Sequence, residues 1–244
     1  MKVMSLITTS LFLMTSGASD VEARGEKLNY TVKVLNAEFA HATLVSKDSK
    51  VYGEIKTNEK WSSVFLMDNK IASKLNEQSF PIETELVLCS KRKSSAYDIK
   101  FNDNQLNVVK SSGGRETRKS KRLSTRTHDL TSWLYHARKE LSAAPDTLMS
   151  FKLFSGNKTY DVNLVPLPEE TINTPIGSKA SKPYTIIVTR PLRYKKKMKI
   201  WFELDESFTP LRITGAAKLG NFEIMIDSIE QSTCGEENCT PTKK

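Results

Sequence analysis

Acid–base chemistry in this chain of 244 residues would have to come from three histidines, His41, His128 and His136. His128 stands beside Asp129, and His136 follows eight residues later, two helical turns on and on the same helix face. A general base needs reach to the proton it removes and a partner that orients it. No third residue completes such a group, and Asp129 is better read as a helix cap. The sequence holds no His-Glu-x-x-His, no Gly-x-Ser-x-Gly and no phosphate-cradling glycine loop. Glu169-Glu170 and Glu236-Glu237 are adjacent pairs, whereas a glycosidase sets two carboxylates across a cleft. The expectation is a protein that is not an enzyme and uses no cofactor. Cys234 and Cys239 bracket Gly-Glu-Glu-Asn. In an oxidising compartment they close a small disulfide loop, and with no histidine nearby they do not complete a zinc site. Cys89 sits in the apolar run Leu86-Val87-Leu88 and reads as a small buried hydrophobe.

Charge points outward instead. The formal net charge is +9, from 37 Lys and Arg against 28 Asp and Glu. Two clusters carry much of it. Lys110–Arg126 includes Arg115, Arg118, Lys121 and Arg122 around a Gly-Gly turn, and reads as a mobile basic hairpin tip or loop. Arg190, Arg193, Lys195, Lys196 and Lys197 precede a strand. Both are candidates for binding anions; the competing reading is a solvated turn that protects a sheet edge. Trp133, Tyr135 and Trp201 are candidates to line an apolar groove, against plain core packing. Expected partners are an anionic lipid, lipopolysaccharide or a cell-wall polymer. Nucleic acid is not expected, because aromatics do not interleave the charge.

The elements that must position these residues alternate with period two. Leu28, Tyr30, Val32 and Val34 share one face, as do Tyr97, Ile99 and Phe101, and Met198, Ile200, Phe202 and Leu204. Such alternation belongs to antiparallel strands with one wet face. Further runs at 40–45, 64–67, 83–89, 148–154, 184–190 and 211–216 bring the count to about a dozen strands. One stretch, 129–141, has helical spacing at Leu130, Trp133, Leu134, Ala137 and Leu141. The fold class expected is mainly β: one large curved antiparallel sheet with a single packed helix. Residues 1–19 read as a cleavable export signal: Lys2, an apolar run over 3–14, then Gly17, Ala18 and Ser19. No cysteine follows that run, so a lipoprotein anchor is not expected, and no other stretch has spanning length. A single β-rich domain over 20–230 and a polar tail over 231–244 complete the organisation.

Several short motifs, in order, resemble the exported bacterial proteins of domain of unknown function 3108. They are Gly25-Glu26-Lys27-Leu28-Asn29-Tyr30, Ala40-His41-Ala42-Thr43-Leu44, the helix with Asp129, Ser132, Tyr135 and Arg138, Gly156 with Tyr160, Thr174-Pro175-Ile176-Gly177, and Ile200-Trp201-Phe202 with Asp205 and Pro210-Leu211-Arg212. The charged stretch 110–126 and the segment 178–183 depart from the family pattern. The resemblance implies a periplasmic β-rich domain, a curved sheet like the half-barrels of lipoprotein carriers, and no established catalytic residues. The reading is a non-enzymatic periplasmic binding or envelope-assembly protein holding an anionic amphiphile or polymer. Its alternatives are a structural partner in a larger envelope complex and, behind that, a hydrolase of an envelope polymer.

Overall fold

The computed structural model describes residues 25–91, 93–102, 105–155, 158–189, 196–217 and 220–232. The export segment, Arg190, Arg193, Lys195, and the Cys234–Cys239 loop lie outside the described residues, as do the side chains of Lys196 and Lys197. In chain order the first strands are β1 (Gly25–Val34), β2 (Ala37–Lys47) and β3 (Lys50–Thr57), then the one-turn helix α1 (Glu59–Ser62). β4 (Met67–Leu75), β5 (Pro81–Ser90), β6 (Lys93–Asn102), β7 (Gln105–Ser112), β8 (Arg115–Arg122) and the short β9 (Thr127–His128) lead to α2 (Ser132–Ala143). The second half is β10 (Met149–Ser155), β11 (Lys158–Pro166), β12 (Glu170–Thr174), β13 (Gly177–Thr189), β14 (Lys196–Glu203), β15 (Pro210–Ala217) and β16 (Gly220–Ser232).

All sixteen strands join one sheet, in the order β8-β7-β6-β5-β4-β3-β2-β1-β16-β15-β14-β13-β11-β10-β9, with β12 beside β13. Every pairing is antiparallel except β9 on β10. The N-terminal and C-terminal strands therefore lie side by side in its middle. The two ends of this long sheet come together. Phe101 of β6 meets Phe154 of β10 edge-on at 6.4 Å, and Leu106, Leu123 and Phe154 share one apolar cluster. Lys121 of β8 donates to the Thr159 hydroxyl of β11 at 2.8 Å. The sheet is thus curled into a barrel-like wall.

Helix α2 lies on the inner face of that wall. Ala137 and Leu141 pack with Leu164, Tyr184, Ile200, Phe202 and Phe208 of the second half. Leu134 and Tyr135 pack against a second cluster around Leu28, Tyr30, Leu44 and Leu211. Trp133 stacks on Phe151 of β10, 5.7 Å between centroids. The concave face is therefore filled by side chains.

The structure corrects several sequence expectations. There are sixteen strands among the described residues, not a dozen. The run 64–67 is not a strand; the strand is Met67–Leu75, whose inner face is Ile71, Ser73 and Leu75. A buried serine interrupts its apolar pattern. The basic stretch 110–126 is an ordered hairpin: β7, a turn with Gly113 and Gly114 at φ 57° and 73°, then β8. Two consecutive residues with positive φ make the turn that matches strand twist, and glycine takes it without strain. All eight residues of β8 are exposed, so no alternation marks it. The helix starts at Ser132 rather than Asp129, which leaves Leu130 outside it and exposed. Cys89 is half-buried, with Sγ 3.3 Å from the Ser94 hydroxyl. Alternation from Thr84 and Leu86 turns it to the outer face.

Candidate functional site

Two polar constellations emerge. The first surrounds the start of α2. Asp129 is 2% exposed. Its Oδ1 accepts from the backbone N–H groups of Thr131 (2.9 Å) and Ser132 (2.7 Å) and from the Thr131 hydroxyl (3.1 Å). Its Oδ2 accepts from the hydroxyls of Ser73 on β4 (2.6 Å) and Thr84 on β5. The carboxylate thus caps the helix start, in line with its expected role, and ties it to two strands of the opposite wall. Gly53 of β3 allows the approach. A Cβ there would lie 3.1 Å from Thr131 Cγ2 and 3.0 Å from Ile71 Cγ2.

The rings of His128, Phe80 and His136 form a three-membered cluster, His128 lying 4.4 Å from Phe80 and 4.6 Å from His136 and those two 5.2 Å apart, with Phe151 edge-on to His128 at 5.7 Å. Burial, helped by the neighbouring His136 ring and opposed by Asp129, pushes its pKa down to about 3. Burial lowers that of His136 as well. His128 Nδ1 lies 3.3 Å from the Ser132 hydroxyl, which itself accepts the Asp129 N–H. His128 lies on β9 and not on the helix, so the two rings meet across the β9–α2 connection rather than along one helix face, as the spacing had suggested. Asp129 has no oxygen left for a substrate proton. Through these bonds the cluster ties the start of α2 to β4 and β5.

The second constellation is on the outer face and is basic. Strand register lines up Lys33 of β1, Glu223 of β16, Thr214 of β15, Lys199 of β14 and Thr185 of β13 in one cross-strand row. Arg212 stands two residues from Thr214 on the same face of β15, opposite Trp201. Together with Asn36 and Asn221 these residues line an open depression of about 740 Å³. Arg212 pairs with Glu223 at 2.5 Å. Lys33 and Lys199 remain exposed. The buried Trp201 ring lies beside two of these cations: Arg212 is 5.0 Å and Lys199 5.9 Å from its centroid. Its Nε1 donates to Glu170 at 2.5 Å. Three cations and two threonine hydroxyls, balanced by one carboxylate, make a surface that attracts phosphate or carboxylate groups.

The sequence candidates distribute as follows. Arg115, Arg118, Lys121 and Arg122 all lie on exposed edge strand β8. Arg118 pairs with Glu116 at 2.9 Å, and Lys121 reaches across the seam to Thr159. Lys196 and Lys197 open β14, three and two residues before Lys199. Trp133 and Trp201 belong to different core clusters, Trp133 among the partners of Phe202 and Trp201 with Ile172 and Leu211. Tyr135 lies beside Arg138, 5.6 Å from ring centroid to guanidinium carbon. The three aromatics do not line one groove; they are core. Lys33 and Arg212 were not singled out by sequence reasoning. As binding residues their signal is the polar half of the alternation on strands far apart in the chain, Arg212 having appeared only within a family motif.

The family model described as "Protein of unknown function (DUF3108)" matches residues 29–227. Among solved structures, a β-barrel-like protein of domain of unknown function DUF1849 from Brucella abortus is similar at 11% identity and a TM-score of 0.59, covering 88% of this chain and all of that one. A protein with a YmcC-like fold from Bacteroides fragilis aligns at 10% identity and a TM-score of 0.31, covering 84% and 95%. No curated protein matches the sequence. At such identities the first likeness speaks for the β-barrel-like fold alone.

Proposed function

The chain belongs to the DUF3108 family, and we propose that it is an exported, non-enzymatic binding protein of the cell envelope that holds an anionic ligand on the outside of its barrel-like sheet. The observation that carries this reading is the cross-strand row with Lys33, Lys199 and Arg212 around the outer depression. Core side chains and α2 cover much of the concave face, which favours the outer face as the binding surface. The ligand chemistry favoured is therefore a phosphate or carboxylate on a lipid head group or an envelope polymer. The export signal expected over residues 1–19 supports a periplasmic setting for this binding.

The test is a titration with the deacylated, phosphorylated oligosaccharide of lipopolysaccharide. Lys33→Ala/Lys199→Ala leaves the fold intact, because both side chains are exposed. Each cation near an anionic surface contributes about 1 kcal/mol, so the double variant binds roughly tenfold or more weakly. Equal binding by the variant and the parent, at low and at physiological salt, removes the site.

A further inference from the structure

One end of the barrel carries a second, apolar feature. The β1–β2 turn and the β3–β4 connection lie side by side there. Asn58 and Trp61 of the connection both donate side-chain N–H groups to the Glu38 carbonyl, at 3.0 and 2.9 Å. Phe39 holds the rings of Trp61 and Phe65 at 6.0 and 5.6 Å. The tips nevertheless remain in solvent: Val64 is 73% exposed, Leu35 68%, Phe65 45% and Trp61 37%. These are large apolar side chains at loop tips, projecting from a firmly bonded base.

Leu35 is the telling residue. It has φ 51° and Asn36 has φ 64°, a two-residue turn that favours Asn-Gly. A bulky residue at positive φ is strained, and strain of this kind gathers at functional positions. Here the strain presents an isobutyl group to water. Exposed lysines surround the patch. Lys33 precedes the turn, Lys60 is on α1, and Lys91 donates to the Ser63 carbonyl at 2.5 Å. Register of Met67 with Ser90 brings the β5–β6 turn and Lys93 alongside. Glu38 and Glu59 are the acids of the same neighbourhood, and Glu38 faces His41 at 3.3 Å. Apolar and aromatic tips inside a ring of lysines match an interface where acyl chains meet anionic head groups.

We propose that Leu35, Trp61, Val64 and Phe65 form a lipid-inserting tip through which this end of the barrel docks on an anionic bilayer. The tip adjoins the anion site above, since Leu35 and Lys33 both line that depression, but Trp61, Val64 and Phe65 lie outside its lining.

Flotation of the full chain with vesicles of phosphatidylglycerol and phosphatidylcholine tests it. The parent floats with them, and far less with phosphatidylcholine alone. Brominated lipid quenches its fluorescence through Trp61, the most exposed tryptophan. Val64→Asp/Phe65→Asp lowers partitioning about tenfold or more, as expected when buried apolar side chains are lost from the lipid. The same variant binds the soluble oligosaccharide like the parent, so the two sites fail separately. Leu35→Asn, a residue at ease at positive φ, keeps or raises Tm yet weakens flotation. Three results each overturn the proposal: no flotation of the parent, undiminished flotation of the double variant, or a patch that instead drives self-association of the chain.

Discussion

Asp129 accepts five hydrogen bonds and is nearly inaccessible, so its role is mechanical. The neighbouring histidines set a pH dependence. His128 has its pKa lowered to about 3 in the fold, against an ordinary value of 6.5. The unfolded chain therefore binds a proton that the folded chain refuses. Stability from this residue is fully present above pH 6.5 and is lost as pH falls from there toward 3. His136, lowered as well, adds in the same direction. Urea titrations at pH 7, 6 and 5 are expected to show stability falling with acid, by at most about 1.4 kcal/mol per pH unit for each histidine. His128→Phe, which keeps the aromatic stack, is expected to flatten that slope, and an unchanged slope contradicts the assignment. Part of this cluster was legible: Asp129 was read as the cap, whereas the two histidines were read onto one helix face and His128 in fact lies on β9. Ser73 and Thr84, its partners 56 and 45 residues away, were not, because small hydroxyls inside strands look like breaks in an apolar pattern.

Elements were legible where one face was apolar and the other polar. β1, β11, β14 and β16 show that alternation, and α2 its helical counterpart. β4 was displaced because its inner face includes Ser73, and β8 was missed because neither of its faces is buried. β8 pairs its backbone with β7, from Gln105–Arg122 to Ser112–Arg115, and reaches β11 through Lys121. Its outer edge is unpaired in the strand order. Lysines and arginines on such an edge prevent other chains from adding to it. Lys119→Ile is therefore expected to leave the monomer's fold unchanged but to promote concentration-dependent aggregation. Light scattering across a dilution series checks this, and a variant as soluble as the parent contradicts it.

The whole molecule depends on contacts that cross the barrel. Arg138 of α2 forms a two-pronged pair with Glu26 of β1, at 2.5 and 3.1 Å, and donates to the Ser207 carbonyl at 3.0 Å. One guanidinium thus joins the helix, the first strand and the β14–β15 connection. Arg138 stood in the helix motif of the family resemblance, but its partner was invisible at a separation of 112 residues. Arg138→Ala removes one partner of a largely buried pair and is expected to cost about 3 kcal/mol, read as a lower urea midpoint. Loss below about 0.5 kcal/mol, the range of ordinary surface substitutions, contradicts the clamp. At this scale the sequence conveyed a curved sheet with a helix against it. The closing seam and the outer cationic row were not legible, because both depend on how many strands intervene and on their register.

The most direct measurement of the central claim is a map of amide chemical-shift changes as the phosphorylated oligosaccharide is added to isotope-labelled protein. The account predicts changes centred on Lys33, Thr185, Lys199, Thr214 and Glu223 on the outer face, with Trp133, His128 and Ala137 on the inner side undisturbed. Changes centred on α2 and the inner wall, or spread evenly over every lysine-bearing surface, contradict it.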